Sequence, residues 1–191
     1  MYQIHHTEAI VLGYKNSGDY DRVFTFITKD YGIVYAKATG IRRESSKSRY
    51  ALSLFSYCDI DLVYGKNYWR VTQAKLIDPH DELPHNTFSI MVASRVSKLI
   101  RKLCISDEPI SNIFQEYQIL LSEINDKDIT KDNVASLEVL SVIKILTSLG
   151  YVNESSMLDI INNGISASDI DTQKKKTLVK YINNALKFSQ M

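Results

Sequence analysis

The chain has 191 residues, 45% of them hydrophobic, with 23 Lys and Arg against 22 Asp and Glu, 7 Gly, 3 Pro and 2 Cys. That is enough apolar material to bury a core in one domain or two small ones, and too little Gly and Pro for a fibrous or low-complexity chain. No stretch approaches the ~18 unbroken apolar residues of a membrane span, and the N-terminus lacks a basic region followed by an apolar run, so a soluble cytoplasmic protein is expected.

From His5 to Leu76 short apolar runs alternate with turn residues. Ala9-Ile10-Val11-Leu12 precedes a polar break at Lys15 to Asp19, and Val23 to Thr28 runs into Lys29-Asp30-Tyr31-Gly32; these read as strands one and two. Ile33 to Ala38 follows as a third strand, with Lys37 on the face of Ile33 and Tyr35 under period-two alternation. Beyond the polar segment Gly40 to Tyr50, Leu54 to Tyr64 and Tyr68 to Leu76 make strands four and five around a Gly65-Lys66-Asn67 turn. Five short antiparallel strands in about 75 residues fit a small closed barrel, which removes exposed sheet edges.

After Asp78-Pro79 to Pro84 the apolar period changes from two to about 3.6. Met91-Val92, Val96, Leu99-Ile100 and Leu103 predict one helix. Ile110, Ile113-Phe114, Tyr117, Leu120-Leu121 and Ile124 predict a second, with Pro109 at its start. A third, capped by Asp132 or Asn133 and stopped at Gly150, is apolar nearly all round and should be central. Ser155 or Ser156 to Asn163 predicts a short fourth helix, and Thr172 to Phe188 a fifth with Leu178-Val179, Ile182 and Ala185-Leu186 facing inward. The fold class is α+β, with a five-stranded antiparallel OB-fold barrel in residues 1–80 followed by an all-helical domain in 81–191. Composition agrees with the division: residues 1–80 hold 11 basic against 8 acidic side chains and 9 of the 12 Tyr, while residues 81–191 hold 12 against 14.

Cys58 and Cys104 belong to no C-x-x-C pair, which excludes a disulfide scaffold and a cysteine zinc ribbon and leaves two small buried hydrophobes. His5 and His6 are adjacent on a strand and point to opposite faces, so they do not share an ion. No metal site and no cofactor is expected. Catalytic motifs are missing too: there is no G-x-S-x-G, Walker loop, H-x-x-x-H or dinucleotide fingerprint. Asp19 and Asp21 alone would make a weak magnesium site and read as turn residues. A non-enzymatic protein is expected.

The segment Lys37 to Arg49 carries five basic residues and one acid. Lys37, Arg42, Arg43, Lys47 and Arg49 can bring cations to a phosphate backbone with serine hydroxyls between them, although a solvated loop has the same composition. Lys66 and Arg70 join them if their strands face the same way, and nearby aromatics suit a single-stranded nucleic acid. Any one ring, Trp69 or a tyrosine, reads first as core. The Lys174-Lys175-Lys176 run begins a helix, against its dipole, and reads as a solvated face.

The ordered segments Thr7-Glu8-Ala9-Ile10-Val11-Leu12, Ser17-Gly18-Asp19-Tyr20-Asp21-Arg22-Val23, Thr28 with Tyr31-Gly32-Ile33-Val34, Lys37-Ala38-Thr39-Gly40-Ile41-Arg42-Arg43 and Ser48-Arg49 resemble the N-terminal domain of the bacterial recombination mediator family RecO. Leu52-Ser53-Leu54-Phe55, Thr72 to Leu76 and Leu146-Thr147-Ser148-Leu149-Gly150-Tyr151 are similar to later parts of that family. The resemblance implies an OB barrel, a helical domain and a nucleoid-associated, non-enzymatic role in DNA repair. That role is to bind single- and double-stranded DNA, to anneal complementary strands and, with RecR, to help RecA replace single-strand binding protein. Many relatives carry a four-cysteine zinc site after the glycine-tyrosine element; here Tyr151 to Met157 holds no cysteine, so zinc is not implied. For the acidic tail of single-strand binding protein the candidate residues are Arg95, Lys98, Arg101 and Lys102, the last three close together at helical spacing. A reading of a different class is a protein-interaction module whose basic loop holds an acidic partner, since OB barrels host many ligands.

Overall fold

The structure, a computed structural model, describes residues 3–104, 110–152 and 172–188. Its strands are β1 (Ile4–Ser17), β2 (Asp21–Thr28), β3 (Gly32–Ala38), β4 (Tyr57–Tyr64) and β5 (Trp69–Asp78). A single turn of 3-10 helix at Leu83–His85 leads to α1 (Thr87–Leu103), α2 (Ser111–Ile124), α3 (Lys131–Ser148) and, after the undescribed stretch, α4 (Thr172–Phe188). The short helix expected at 155–163 lies outside the described residues, as does Pro109. No helix among the described residues is long and apolar enough to cross a membrane. The chain forms two compact units, Met1–Asp81 with Ser97–Gln118, and Glu82–Val96 with Ile119–Met191.

In the first unit the strands close into an OB-type barrel in the order β1-β2-β3-β5-β4. Four of the pairings are antiparallel. The fifth, β3 with β5, is parallel and short, joining Ala36 to Trp69 and Lys37 to Arg70. Period-two alternation sends Ala9 and Val11, Phe24 and Phe26, Val34, Ala36 and Ala38, and Cys58, Ile60 and Leu62 into one core. Alanines on β1 and β3 make room for the rings of Phe24 and Phe26, whose centroids lie 5.7 Å apart; alternating small and large side chains fill a narrow barrel in this way.

β1 is longer than its apolar run suggests. It pairs with β4 through its first half and with β2 through its second, continuing across Lys15 and Asn16 to Ser17. A bulge between Val11 and Gly13 re-aims the strand, so that Tyr14 comes to pair with Phe24. Strand four begins at Tyr57 rather than Leu54, because Ala51 to Ser56 are held in turns: Ser56 Oγ donates to the Ala51 carbonyl at 2.7 Å, and Phe55 adopts a φ of 67°. Strand five runs on to Asp78.

Ile10 and Leu12 point away from the barrel interior yet are buried, because the C-terminal part of α1 and the start of α2 cover that side. Ser97 Oγ donates to the Leu12 carbonyl at 2.9 Å, Ser111 Oγ to that of Lys29 at 3.1 Å, and Phe114 packs edge-on to Tyr57. Glu8 braces the same unit: it accepts from Lys29 Nζ at 2.8 Å and from the Tyr57 hydroxyl, and the Lys29 contact, then Tyr57, holds its carboxyl below the usual range. Cys58 and Cys104 are buried free thiols, and desolvation pushes them up to about 12 and about 11, so both are un-ionised at neutral pH.

In the second unit α3 is buried on nearly every side, as apolar residues spread nearly all round it predict, including Val134, Leu137, Leu140, Ile143 and Ile145. Its cap is Thr130 and not Asp132 or Asn133: the Thr130 hydroxyl accepts from the Asn133 amide at 3.3 Å, which places both expected caps inside the first turn. At the other end Gly150, with a φ of 75°, donates to Thr147 while Tyr151 donates to Leu146. This pair of bonds is the Schellman closure that glycine permits. α4 covers Val139, Leu140 and Ile143 with Leu178, and Ile182 packs beside it. Val179, expected to face inward, is 40% exposed, because it stands about 100° around the helix from Leu178.

Phe26 is fully buried in the barrel. Phe26→Ala should destabilise the barrel by about 3–5 kcal/mol, the usual cost of emptying such a site, read as a lower urea midpoint in the fluorescence of Trp69.

Candidate nucleic-acid interface

Strand pairing decides which turns meet. The last residues of β3 pair with Arg22 and Val23 next to the β1–β2 turn at one end of the barrel, and the parallel pairing sets Lys37 beside Arg70, just past the β4–β5 turn. The long segment from Thr39 to Ser56 starts at that end as a chain of turns, with Arg43 donating to Gly40, Ser46 to Arg43 and Leu52 to Ser48 through the backbone.

This loop is fastened to the β1–β2 turn. The Gly40 amide donates to Asp21 Oδ1 at 2.8 Å, the Arg42 amide to the Tyr20 carbonyl at 3.0 Å, and Arg42 Nη1 to the Gly18 carbonyl at 3.4 Å. Gly40 has a φ of 68°, a conformation that a side chain would strain. The Arg43 guanidinium lies over the Tyr20 ring, 5.0 Å from its centroid, and Arg22 covers Tyr14 at 4.0 Å. Turn residues that read as plain punctuation are therefore the anchor of the basic loop. The signal available in the sequence was an aspartate, Asp21, three residues past the turn glycine Gly18 and opposite a lysine-bearing strand.

Lys37 occupies the outer face with Tyr35, as alternation predicts, and its Nζ pairs with Asp21 Oδ2 at 2.9 Å. Asp21 is held below the usual aspartate value first by the Gly40 amide and then by Lys37, while the contact with Asp21 raises Lys37 above the usual lysine value. Lys37 thus orders the loop as well as adding charge. Arg70, its neighbour across the parallel pairing, is half-buried, and its Nε approaches Gly65. Arg42, Arg43, Lys47, Arg49 and Lys66 are exposed. Lys37, Arg42 and Arg43 lie at the exit of β3 beside the β1–β2 turn, Arg70 adjoins Lys37 across the parallel pairing and Lys66 is in the β4–β5 turn, whereas Lys47 and Arg49 lie further along the loop.

The aromatic residues divide. Trp69 is core-associated, with edge-on contacts to His5 at 5.1 Å and Tyr64 at 5.0 Å. The tyrosines depart from the expectation of burial: Tyr14, Tyr20, Tyr35, Tyr50, Tyr64 and Tyr68 are all exposed, Tyr50 by 80%. Four of them lie on β1, β3 or the two turns, with Tyr14 and Tyr20 directly under arginines, and the barrel interior is already filled by phenylalanine and aliphatic side chains.

A different face carries the opposite charge. On the outside of β1, β4 and β5 an open pocket of about 370 Å³ is lined by His6, Thr7, Asp59, Ile60, Asp61, Gln73 and Lys75, with His6 Nδ1 2.6 Å from Asp61. His5 turns the other way, to Tyr31 and Trp69. Among the described residues no group of three or more His, Cys, Asp or Glu side chains converges as a metal ion requires.

Of the residues considered on α1, Arg95 is engaged by Glu138 through two contacts of 2.6 Å. Lys98, Arg101 and Lys102 are exposed, and the Arg101 guanidinium lies against Gly13, where any side chain would meet it at about 3.3 Å.

Residues 1–80 match the family described as Recombination protein O N terminal. The chain is similar to the DNA repair protein RecO of Thermoanaerobacter sp. (strain X514), 27% identical over 146 residues that cover 76% of this chain and 58% of that protein. It is 25% identical to the DNA repair protein RecO of Desulfitobacterium hafniense (strain DSM 10664 / DCB-2) over 151 residues, 78% of this chain and 52% of that one. With the DNA repair protein RecO of Cutibacterium acnes it shares 33% identity over 89 residues, 47% of this chain and 36% of the other. The chain spans about half the length of the first two relatives.

Replacing Asp21 by Asn should lower the protection of the Gly40 amide against hydrogen exchange and quicken tryptic cleavage after Arg42 and Arg43. In the unaltered protein, the contribution of the depressed Asp21 is complete above the ordinary aspartate value of 3.8 and is lost as pH falls through its lowered value. The contribution of the raised Lys37 is complete below 10.5 and is lost as pH rises through its higher value. The protection factor of the Gly40 amide, taken relative to intrinsic exchange at the same pH, should fall at both limits, and the acid limb should vanish in the Asn variant.

Proposed function

We propose, from the match of residues 1–80 to the Recombination protein O N-terminal family and the similarity to RecO proteins over about three quarters of the chain, that this is a DNA-binding recombination mediator of the RecO family in DNA repair. It binds single- and double-stranded DNA, anneals complementary strands and, with RecR, helps load RecA onto DNA coated by single-strand binding protein. The observation that carries this reading is the fastening of the Thr39–Ser56 loop to the β1–β2 turn, which holds Arg42 and Arg43 at the barrel end among exposed tyrosines. Cations neutralise phosphates there, and rings beside them offer faces to unstacked bases irrespective of sequence.

Annealing needs no bond chemistry. Two strands repel through their phosphates, and a surface that neutralises part of each lowers that repulsion and raises their local concentration. Lys37, Arg42, Arg43, Lys47, Arg49, Lys66 and Arg70 supply the charge. Lys37 shares its charge with Asp21, so Arg42 and Arg43 carry more of the contact. The exposed Lys98, Arg101 and Lys102 are the part of α1 open to the acidic tail of single-strand binding protein, since Arg95 is held by Glu138.

The test is fluorescence anisotropy of a labelled single-stranded oligonucleotide across a salt series, followed by addition of its complement. Arg42→Ala with Arg43→Ala should weaken binding and reduce the slope of log affinity against log salt by about 1.4, at ~0.7 per single-strand phosphate contact. Unchanged affinity and slope in a variant with the wild-type melting curve would remove this loop from the interface.

A further inference from the structure

The second unit carries a charged surface that the barrel does not account for. α4 contains five lysines and no acidic residue in 17 positions. Its buried side is set by Leu178 and Ala185. At 100° per residue, Lys176 and Lys180 fall on the opposite side of the helix, with Gln173, Thr177, Asn183 and Asn184 alongside. All six are exposed, and every one bears a hydrogen-bonding group. Tyr181, 46% exposed, flanks this strip.

Helix stability does not explain the strip. Lysines near a helix N-terminus oppose the macrodipole, and Lys176 and Lys180, one turn apart, repel each other. Lys175 has a structural role, since its Nζ donates to the Asp132 carbonyl at 3.2 Å and ties α4 to the start of α3. Lys176 and Lys180 make no ion pair among the described residues.

We propose that the Lys176–Lys180 face of α4 is a second nucleic-acid surface, which holds sugar-phosphate backbone independently of the barrel. The inference rests on the reading of the barrel as a DNA-binding module and adds a second contact on the other compact unit, so that one molecule engages two strands, or two segments of one. The chemistry favours nucleic acid over an acidic peptide. The strip pairs spaced cations with the neutral amide donors of Gln173, Asn183 and Asn184, the Thr177 hydroxyl being committed to the Gln173 carbonyl, and carries the half-exposed Tyr181 ring at its edge, which suits phosphate oxygens and a base face.

The experiment compares three double variants of the full chain, Lys176→Gln with Lys180→Gln, Lys176→Arg with Lys180→Arg, and Arg42→Ala with Arg43→Ala. Anisotropy with single-stranded DNA over a salt series and the annealing rate of complementary oligonucleotides are the readouts. The glutamine variant should lose about 1.4 from the salt slope, two contacts at ~0.7 each, and anneal several-fold more slowly, while the arginine variant retains both. In the wild type, bound DNA should protect Lys176 and Lys180 from an amine-acylating reagent, a measurement that needs no substitution. Wild-type slope and annealing in the glutamine variant, with both lysines unprotected, would overturn the inference. A DNA defect confined to the arginine-to-alanine variant would overturn it while leaving the barrel reading intact, whereas failure of the wild type to bind DNA at all would remove both. Binding of polyglutamate that is lost in the glutamine variant while DNA binding persists would assign the face to an acidic protein and equally overturn the proposal.

Discussion

Closing five strands on themselves is the constraint from which the rest of the first unit follows. Hairpins join β1 to β2, β2 to β3 and β4 to β5, so β3 and β5 run in the same direction and can close the barrel only by a parallel pairing. A parallel pairing needs a long connection, and the Thr39–Ser56 loop supplies it. β3 leaves at the end where the β1–β2 turn sits, so the loop begins beside that turn, and the parallel pairing brings the start of β5 alongside the last residues of β3. The two residue pairs that close the barrel also set Lys37 next to Arg70, a juxtaposition of like charge that would work against closure. Asp21 relieves it from β2 while accepting the first amide of the loop.

A single carboxylate thus links closure to charge display. Ile41 and Leu52 root the basic loop in the barrel core, and Asp21 adds the polar tie that fixes its first turn to β2. With it, Arg42 and Arg43 are held near β1 and β2, where Tyr14 and Tyr20 are exposed. The net charge of +1 conveys none of this. Cations gather about the exit of β3, aspartates line the outer pocket of β1, β4 and β5, and Lys176 and Lys180 share one side of α4. A field built from separated patches steers a polyanion to particular surfaces, even though the whole chain is nearly neutral.

The interior shows why parts of the fold were legible. Strands β2 and β3 and the helices α3 and α4 were readable because one side chain in two, or an apolar stripe at helical spacing, must be buried. The ends of elements were less so. β1 crosses Lys15 and Asn16 because its pairing with β2 continues past its own apolar run, and α3 starts from Thr130 because the residue whose hydroxyl reaches an open amide becomes the cap. Tyrosines misled in the opposite direction: their β propensity was informative, but the barrel interior had no room for their hydroxyls, so they lie outside.

By itself the sequence determined the succession of a five-stranded barrel and a helical region, the absence of cysteine pairs, and the inventory of cations, since these depend on period, composition and local turn chemistry. Which cations are free to meet a partner was decided only by the tertiary structure. Lys37 is engaged by Asp21, Arg95 by Glu138 and Lys175 by the Asp132 carbonyl. Each partner is 16 to 43 residues distant in the chain, and no local pattern can rank contacts that exist only after the strands have closed and the helices have packed.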